Sequence, residues 1–164
     1  MNQLFPMIKH KIQHIKGACR TIQAWKENGD RIVFTNGCFD LIHKGHIHYL
    51  CEAAELGDRL VVALNSDASI KRLKGNDRPI KDQDSRLLTM ASFQFVDLVV
   101  SFEEDTPYLL IESFLPDVLV KGGDWTIDQI VGSDVVLNNG GEVKQLSFIE
   151  GCSTTNLINR IKPV

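Results

Sequence analysis

The chain has 164 residues, of which 43% are hydrophobic and 24% are charged, and its formal net charge is −3 at pH 7. This composition is typical of one globular domain whose core needs no disulfide or metal to stabilise it. The negative charge argues against a non-specific nucleic-acid binder, and no segment approaches the roughly 18 consecutive apolar residues of a membrane span.

The first residues and the cysteines indicate a reducing compartment. Residues 1–16 mix Lys and His with apolar side chains, so they lack the continuous apolar stretch of a secretory signal peptide. The 4 cysteines are scattered and form no C-x-x-C pair, which disfavours a zinc ribbon and a thioredoxin-like motif. We therefore expect free thiols, no protein-bound metal and a cytoplasmic location.

The first 29 residues predict a helical extension. Ile8, Ile12 and Ile15 recur at helical spacing, and the Asn-Gly-Asp sequence at 28–30 is typical of a helix stop and turn. We therefore divide the chain into an N-terminal extension, residues 1–29, and a main domain, residues 30–164.

The main domain alternates short apolar runs with amphipathic stretches. The predicted strands are 32–34, 60–64, 96–101, 118–120 and 142–147, and the predicted helices are 45–56, 83–95, 108–114, 127–138 and 155–161. Residues 65–82 are predicted to be a polar connecting segment. Apolar strands that alternate with helices indicate an α/β fold, with a mostly parallel five-stranded sheet and helices on both faces.

Polar and glycine-rich segments follow four of the five predicted strands. They are residues 35–46, 65–67, 121–125 and 151–155. Ligands of open parallel sheets bind outside the carboxyl ends of the strands, so four such segments at one edge predict a ligand site.

The most informative segment is His43-Lys44-Gly45-His46, where a helix is predicted to begin. Gly45 allows a ligand to approach the backbone, and the unpaired N–H groups and positive dipole of a helix start suit phosphate. The alternative is that both histidines cap the helix or lie on its surface. Ser153-Thr154-Thr155 opens the last predicted helix, either as an N-cap or as a second phosphate-binding helix start.

A basic cluster lies between the second predicted strand and the following helix. Its members are Lys71, Arg72, Lys74, Arg78, Lys81 and Arg86. Such side chains suit capture of an anionic substrate, although a solvated loop is the alternative. The absence of interleaved aromatic residues disfavours a single-stranded nucleic-acid platform. The chain also lacks a P-loop, a G-x-G-x-x-G fingerprint and a G-x-S-x-G elbow.

Several of these strings together resemble a known family. Thr35-Asn36-Gly37-Cys38-Phe39-Asp40, the His-Lys-Gly-His segment and Gly151-Cys152-Ser153-Thr154-Thr155 are similar to motifs of the cytidylyltransferase-like nucleotidyltransferase superfamily. Longer strings at 64–69, 72–79, 104–107, 116–124 and 140–143 resemble its D-glycero-β-D-manno-heptose 1-phosphate adenylyltransferase branch. The resemblance covers residues 31–161.

The resemblance implies a Rossmann-like nucleotidyltransferase fold and a reaction. AMP would pass from ATP, with Mg²⁺, to D-glycero-D-manno-heptose 1-phosphate, giving ADP-heptose and pyrophosphate for the lipopolysaccharide core. It further implies small-molecule substrates, no nucleic-acid or membrane partner, and a homodimer or higher homo-oligomer. Many members are fused to a sugar kinase, for which 164 residues leave no room, so a separate heptose kinase and a phosphatase are expected.

A second reading is a cytidylyltransferase that acts on another small polyol or alcohol phosphate, such as glycerol 3-phosphate. Those relatives carry Arg-Thr-Glu-Gly-Ile-Ser-Thr-Thr where this chain has Phe-Ile-Glu-Gly-Cys-Ser-Thr-Thr, at 148–155. The missing Arg and the Lys-Gly-Gly-Asp string at 121–124 favour the heptose branch.

The residues and the resemblance together predict three groups of site residues. The catalytic group comprises His43 and His46, which would donate hydrogen bonds to phosphate oxygens, and Lys74, which would bind substrate phosphate. The predicted ATP-binding residues are Thr35, Asn36, Gly37, Cys38, Phe39, Asp40, Gly45, Lys121, Gly122, Gly123, Asp124, Ser153, Thr154 and Thr155. The predicted acceptor-binding residues are Asn65, Asp67, Arg78 and Arg86. No carboxylate cage for Mg²⁺ is visible, although Asp40 is a candidate ligand, and a turn-forming role is the alternative for Asp67 and Asp124.

Overall fold

The computed structural model describes residues 3–147 together with Thr154 and Ile158. Ser153, Thr155 and the rest of the predicted helix at 155–161 lie outside the described residues. None of the helices within the described ranges combines the length and the apolar character that crossing a bilayer requires.

Helices and strands alternate along the described chain. The α-helices are α1 (Leu4–His10), α2 (Ile15–Glu27), α3 (Lys44–Ala54), α4 (Asp67–Lys74), α5 (Gln83–Ala91), α6 (Tyr108–Phe114) and α7 (Ser133–Asn138). The strands are β1 (Ile32–Gly37), β2 (Arg59–Asn65), β3 (Leu98–Phe102), β4 (Val118–Gly122) and β5 (Glu142–Leu146). Each predicted strand overlaps an observed one.

The strands form one parallel five-stranded sheet in the order β3-β2-β1-β4-β5. Side chains alternate between its faces, so Phe34 packs with α2, α6 and α7 on one face, whereas Val33 packs with α3 and α5 on the other. The predicted α/β fold is confirmed. The strand order reverses direction between β1 and β4, which is the switch point where ligands of such sheets bind.

Two predicted elements differ from the structure. The segment at 65–82 contains α4, whose start is capped by Ser66, since its hydroxyl accepts a hydrogen bond from the Ser69 N–H at 3.1 Å. The predicted helix at 127–138 is instead a 3₁₀ turn, Ile127–Gln129, followed by α7. Gly132 lies between them with φ at +83°, a left-handed conformation that interrupts a helix.

The predicted N-terminal extension packs into the main domain. Ala18 and Ile22 of α2 are buried with the strands and α6 in one apolar layer. The connection between α1 and α2 pairs with the edge strand β3, because the Val99 N–H donates to the Lys11 carbonyl at 2.8 Å and the Gln13 N–H donates to the Val99 carbonyl at 3.0 Å. Residues 3–29 and the sheet therefore share a core.

Candidate active site

A cavity of about 490 Å³ opens at the carboxyl ends of the strands. Residues of β1 and β4 both line it, so it lies at the switch point. The predicted site residues that it brings together are Asn36, Gly37, Cys38, Phe39, Asp40, His46, Asn65, Lys74, Arg78, Lys121, Gly122 and Thr154. The other predicted residues within the described ranges do not line it; they are Thr35, His43, Gly45, Asp67, Arg86, Gly123 and Asp124.

The two histidines of the His-x-Gly-His segment form a stacked pair at the start of α3. His43 precedes the helix in an extended conformation, and the spacing of three residues brings the His46 ring to its side. Their ring centroids are 3.8 Å apart, with an angle of 22° between the ring planes. The Phe39 ring contacts His46 edge-on at 5.4 Å, so the β1 loop supports the pair from the cavity side.

Both imidazoles are neutral at pH 7. Burial lowers the pKa of His43, and burial together with the nearby His43 and Lys74 lowers the pKa of His46 to about 4. A neutral imidazole carries one N–H donor and one acceptor nitrogen. Among the described residues the buried Nδ1 atoms of both rings have no hydrogen-bond partner. The pair is therefore an uncharged hydrogen-bonding group whose capacity these residues leave unused.

Asp40 holds a neighbouring loop onto the end of β1. Its side chain is 1% exposed and accepts hydrogen bonds from Arg78 Nε at 2.8 Å and from the backbone N–H groups of Ile80 and Lys81, each at 2.9 Å. Burial alone would raise the pKa of Asp40, but these hydrogen bonds and the Arg78 charge lower it below its ordinary value. Because both oxygens are already engaged, the candidacy of Asp40 as a Mg²⁺ ligand is not supported.

Arg78 is held by one edge of its guanidinium and lines the cavity. Its Nε donates to Asp40, and its two terminal nitrogens form no hydrogen bond with the described residues. A guanidinium fixed in this way presents a fork of donors that suits a phosphate.

Arg86 occupies a different environment from the predicted substrate contact. It is 1% exposed, and its three nitrogens donate to the Lys81 carbonyl at 3.2 Å, the Cys38 carbonyl at 2.8 Å and Asp67 at 2.7 Å. Neither Arg86 nor Asp67 lines the cavity. This placement favours a role in holding the β1 loop against the start of α5 over contact with a substrate.

Thr35 is also internal. Its hydroxyl and the Tyr49 hydroxyl are 2.5 Å apart, and the Tyr49 hydroxyl donates to the Val120 carbonyl at 3.2 Å. Burial raises the pKa of Tyr49 to about 12. This buried contact holds α3 against β1 and β4, the two strands of the switch point. Because the histidine pair lies at the start of α3, Thr35 helps to fix its position through Tyr49.

The cavity also has walls that were not predicted from the sequence. They comprise Tyr49, Leu73, Asp105, Thr106, Pro107, Leu119, Gln129, Ile130 and Val131. Trp125, which also lines the cavity, ends the predicted segment at 121–125. The segment at 103–107 follows β3, so the rule that pointed to the other strand ends applies to it as well. It is held in place by α4, because Arg72 donates to Asp105 at 2.9 Å and Ser69 donates to the Glu104 carbonyl at 3.1 Å.

A family profile described as cytidylyltransferase-like matches residues 34–160, which include every described residue that lines the cavity. The chain belongs to this family. The resemblance drawn from the motifs at 35–46 and 151–155 is thereby confirmed.

Individual relatives agree with this assignment. The chain is 55% identical over 143 residues to the bifunctional protein HldE of Pectobacterium carotovorum subsp. carotovorum (strain PC1), a match that covers 87% of this chain and 30% of the relative. It is 53% identical over 143 residues to the bifunctional protein HldE of Klebsiella pneumoniae subsp. pneumoniae, with the same coverage. The chain thus spans less than a third of the length of these relatives.

Two solved structures share the fold. A lipopolysaccharide core biosynthesis protein from Thermoplasma volcanium GSS1 has a TM-score of 0.60 and 33% identity, and the match covers 74% of this chain and 98% of that one. A pantoate-beta-alanine ligase from Francisella tularensis, complexed with an ATP analogue and beta-alanine, has a TM-score of 0.58 and 12% identity, with 90% and 75% of the two chains covered. The second similarity concerns the fold alone.

Proposed function

We propose that this chain is an adenylyltransferase that transfers AMP from ATP to D-glycero-D-manno-heptose 1-phosphate, giving ADP-heptose and pyrophosphate for the lipopolysaccharide core. The observation that carries the proposal is the neutral histidine pair at the start of α3, beside a cavity lined by Lys74 and Arg78. The family and the identity to HldE proteins support the choice of substrates. A cytoplasmic location and a homo-oligomeric state are parts of the same proposal.

The reaction needs little acid–base chemistry. An oxygen of the acceptor phosphate attacks the α-phosphorus of ATP in line, a new P–O bond forms, and the bond to the bridging oxygen breaks as pyrophosphate leaves. The acceptor oxygen is already anionic, so no strong base is required. Catalysis then consists of positioning the two phosphates and stabilising the charge that develops at the α-phosphorus.

The histidine pair suits this charge stabilisation. With a pKa of about 4, His46 is a neutral hydrogen-bond donor at physiological pH and does not release a proton during turnover. The α3 start beside it supplies unpaired backbone N–H groups and a positive dipole end. We assign His43 and His46 to the α- and β-phosphate oxygens on these grounds.

The remaining side chains divide between the two substrates. We assign Lys74 and Arg78 to the acceptor phosphate, since both are cations that line the cavity on the α4 side. Thr154 also lines the cavity, which supports its assignment, with Ser153 and Thr155, to the departing phosphates. Gly122 and Trp125 also line the cavity, and we place the adenine beside them.

The protein supplies no metal cage in the part of the chain that the structure describes. No group of three or more His, Cys, Asp or Glu side chains there could hold a metal ion, and the Asp40 oxygens are engaged. We therefore propose that ATP binds as its magnesium complex, in which phosphate oxygens and water surround the ion.

A turnover assay tests the proposal. The purified chain is incubated with Mg²⁺, ATP and heptose 1-phosphate, and pyrophosphate release is measured. In parallel reactions CTP replaces ATP and glycerol 3-phosphate replaces heptose 1-phosphate. We expect release with ATP and heptose 1-phosphate only. Release no greater than background with that pair would overturn the proposal, and release with CTP and glycerol 3-phosphate would replace it with the cytidylyltransferase reading.

A further inference from the structure

Lys121 lies on the floor of the cavity, at the switch point of the sheet. Thr35 of β1 pairs with Val120 of β4, and one residue further along these strands are Asn36 and Lys121. Both of these residues line the cavity. Lys121 therefore lies beside Asn36 of β1 and directly precedes Gly122, where we place the adenine.

The Lys121 ammonium has few partners for a group in this position. It donates to Asn36 Oδ1 at 3.4 Å, a long hydrogen bond, and this is its one hydrogen bond to the described residues. No carboxylate in the described ranges forms an ion pair with it. Burial lowers the pKa of Lys121, and the nearby Cys38 opposes this only in part.

Lys26 shows how the same fold treats another half-buried lysine. Its ammonium donates to the carbonyls of Phe114 and Leu115 at 2.9 and 2.5 Å, which compensates for its lost hydration. Lys121 has three N–H donors and, among the described residues, one weak acceptor. A half-buried cation with unused donors that faces a cavity is matched by an anionic ligand group, because a neutral group would leave the charge uncompensated.

We propose that Lys121 is a substrate-binding residue whose ammonium receives a phosphate oxygen of the reacting substrates, with Asn36 holding the side chain in place. The inference rests on the proposed function and deepens it, since Lys121, predicted from the sequence as an ATP-binding residue, is assigned a contact with a phosphate. The phosphate has two possible sources, the α-phosphate of ATP and the phosphate of the sugar. Both carry the same oxygen chemistry, so binding measurements must separate them.

The test compares Lys121→Met and Lys121→Gln with the unchanged chain. Methionine keeps most of the side-chain length without the charge, and glutamine keeps a polar end. Dissociation constants are measured by calorimetry for α,β-methylene ATP and, separately, for heptose 1-phosphate, and turnover is measured with both substrates. Lys144→Met is the matched control, because Lys144 lies on the adjacent strand β5 and is paired with Glu142 outside the cavity.

Loss of a charge-assisted hydrogen bond predicts about 10- to 100-fold weaker binding of one of the two ligands, or an equal loss in kcat if the contact forms in the transition state. The ligand that weakens identifies the source of the phosphate. Lys144→Met should change neither quantity. Thermal unfolding should show that both Lys121 variants remain folded, since removing a poorly paired, half-buried cation costs little stability.

Three results would overturn the inference. Unchanged binding of both ligands with unchanged turnover would show that Lys121 contacts no phosphate. An equal loss in the Lys144 variant would show a general effect of charge. Loss of folding in both Lys121 variants would show that the ammonium is needed for the fold itself. The ATP analogue binds without reaction, so its binding measurement tests the inference even if the unchanged chain does not turn over heptose 1-phosphate. Absence of that turnover would instead count against the proposed function.

Discussion

His46 is the residue on which the chemical account depends most. It lines the cavity, stacks on His43 and is held by Phe39. Its neutral state at pH 7 follows from burial and from the nearby His43 and Lys74, and it makes the imidazole a hydrogen-bond donor rather than an acid. Two consequences can be measured separately, one in catalysis and one in stability.

Replacing His46 with alanine should lower kcat by about 10²-fold or more, because a donor to the charge that develops in the transition state is lost. KM for ATP should change much less. The matched control is His48→Ala, since His48 lies on the exposed side of α3 and pairs with Glu52. Steady-state kinetics of pyrophosphate release measure both effects. A loss confined to KM would indicate ground-state binding instead.

The depressed pKa of His46 should also make stability depend on pH. Its pKa is about 4 in the folded chain, against the ordinary histidine value of 6.5, so between these values the unfolded chain binds more protons. The folded state is therefore favoured above about pH 6.5 and loses this contribution as the pH falls towards about 4. In His46→Asn the contribution is absent. Urea unfolding at about pH 7 and about pH 4.5 measures the unfolding free energy of both chains. The value for the unchanged chain minus the value for the variant should be smaller at the lower pH. An unchanged difference would contradict the assignment.

At the scale of elements, buried polar contacts hold the β1 loop in position. Asp40 fixes the loop that carries Arg78, while Arg86 fixes the Cys38 carbonyl and the Lys81 carbonyl. The Gly37 backbone approaches the Phe39 ring so closely that an added Cβ would lie 2.9 Å from it. The cavity wall that supports His46 is thus set by contacts between segments about 40 residues apart.

Arg86 tests this view of the loop. Arg86→Met should lower the free energy of unfolding by about 3 kcal/mol, because two partly buried carbonyls lose their donor and Asp67 loses its ion pair. It should also lower kcat, whereas KM for the sugar phosphate should change little. Arg86→Lys should restore part of the stability, since lysine can still reach one acceptor. Urea unfolding and kinetics measure these effects. A raised KM for the sugar phosphate at unchanged stability would instead support the substrate contact predicted from sequence.

Elements with a clear local sequence pattern could be predicted, whereas features that depend on contacts between distant residues could not. Continuous apolar runs such as Leu60–Leu64 predict buried parallel strands, and the ends of those strands then predict where the site lies. Helix α4 was missed because its apolar side is short, with Ile70 as its fully buried hydrophobic residue, so its cap at Ser66 was the stronger signal. The contacts of Arg86 could not be predicted because a charge in a sequence does not reveal its partner, which here is Asp67, 19 residues away.

At the scale of the whole molecule, the N-terminal helices belong to the same folded unit as the sheet. Ile22 is 2% exposed in the apolar layer formed by α2 and the strands. The segment at 11–13 pairs with β3, which is otherwise an edge strand and open to pairing with other chains. Sequence periodicity predicted the helices at 1–29 but not this packing, because a short amphipathic helix does not specify the surface that it covers.

Ile22→Ala should therefore destabilise the whole chain. A cavity in the core costs about 2–5 kcal/mol for an isoleucine-to-alanine change. Ile15→Ala, at a position that is 36% exposed at the start of α2, should cost less than about 1 kcal/mol. Thermal denaturation measures the temperature at which the sheet unfolds. This temperature should fall in the first variant only. Equal unfolding temperatures of the two variants would mean that α2 is an appendage and not part of the core.

We propose that the cavity at the switch point transfers AMP to a sugar phosphate. Phosphorus NMR of a reaction with Mg²⁺, ATP and heptose 1-phosphate tests this most directly, because it observes both products. We expect the ATP and sugar phosphate signals to be replaced by those of a nucleoside diphosphate sugar and pyrophosphate, and we expect His46→Ala nearly to abolish this conversion. If the signals of ATP and the sugar phosphate stay unchanged while the protein is folded, the proposed reaction is contradicted.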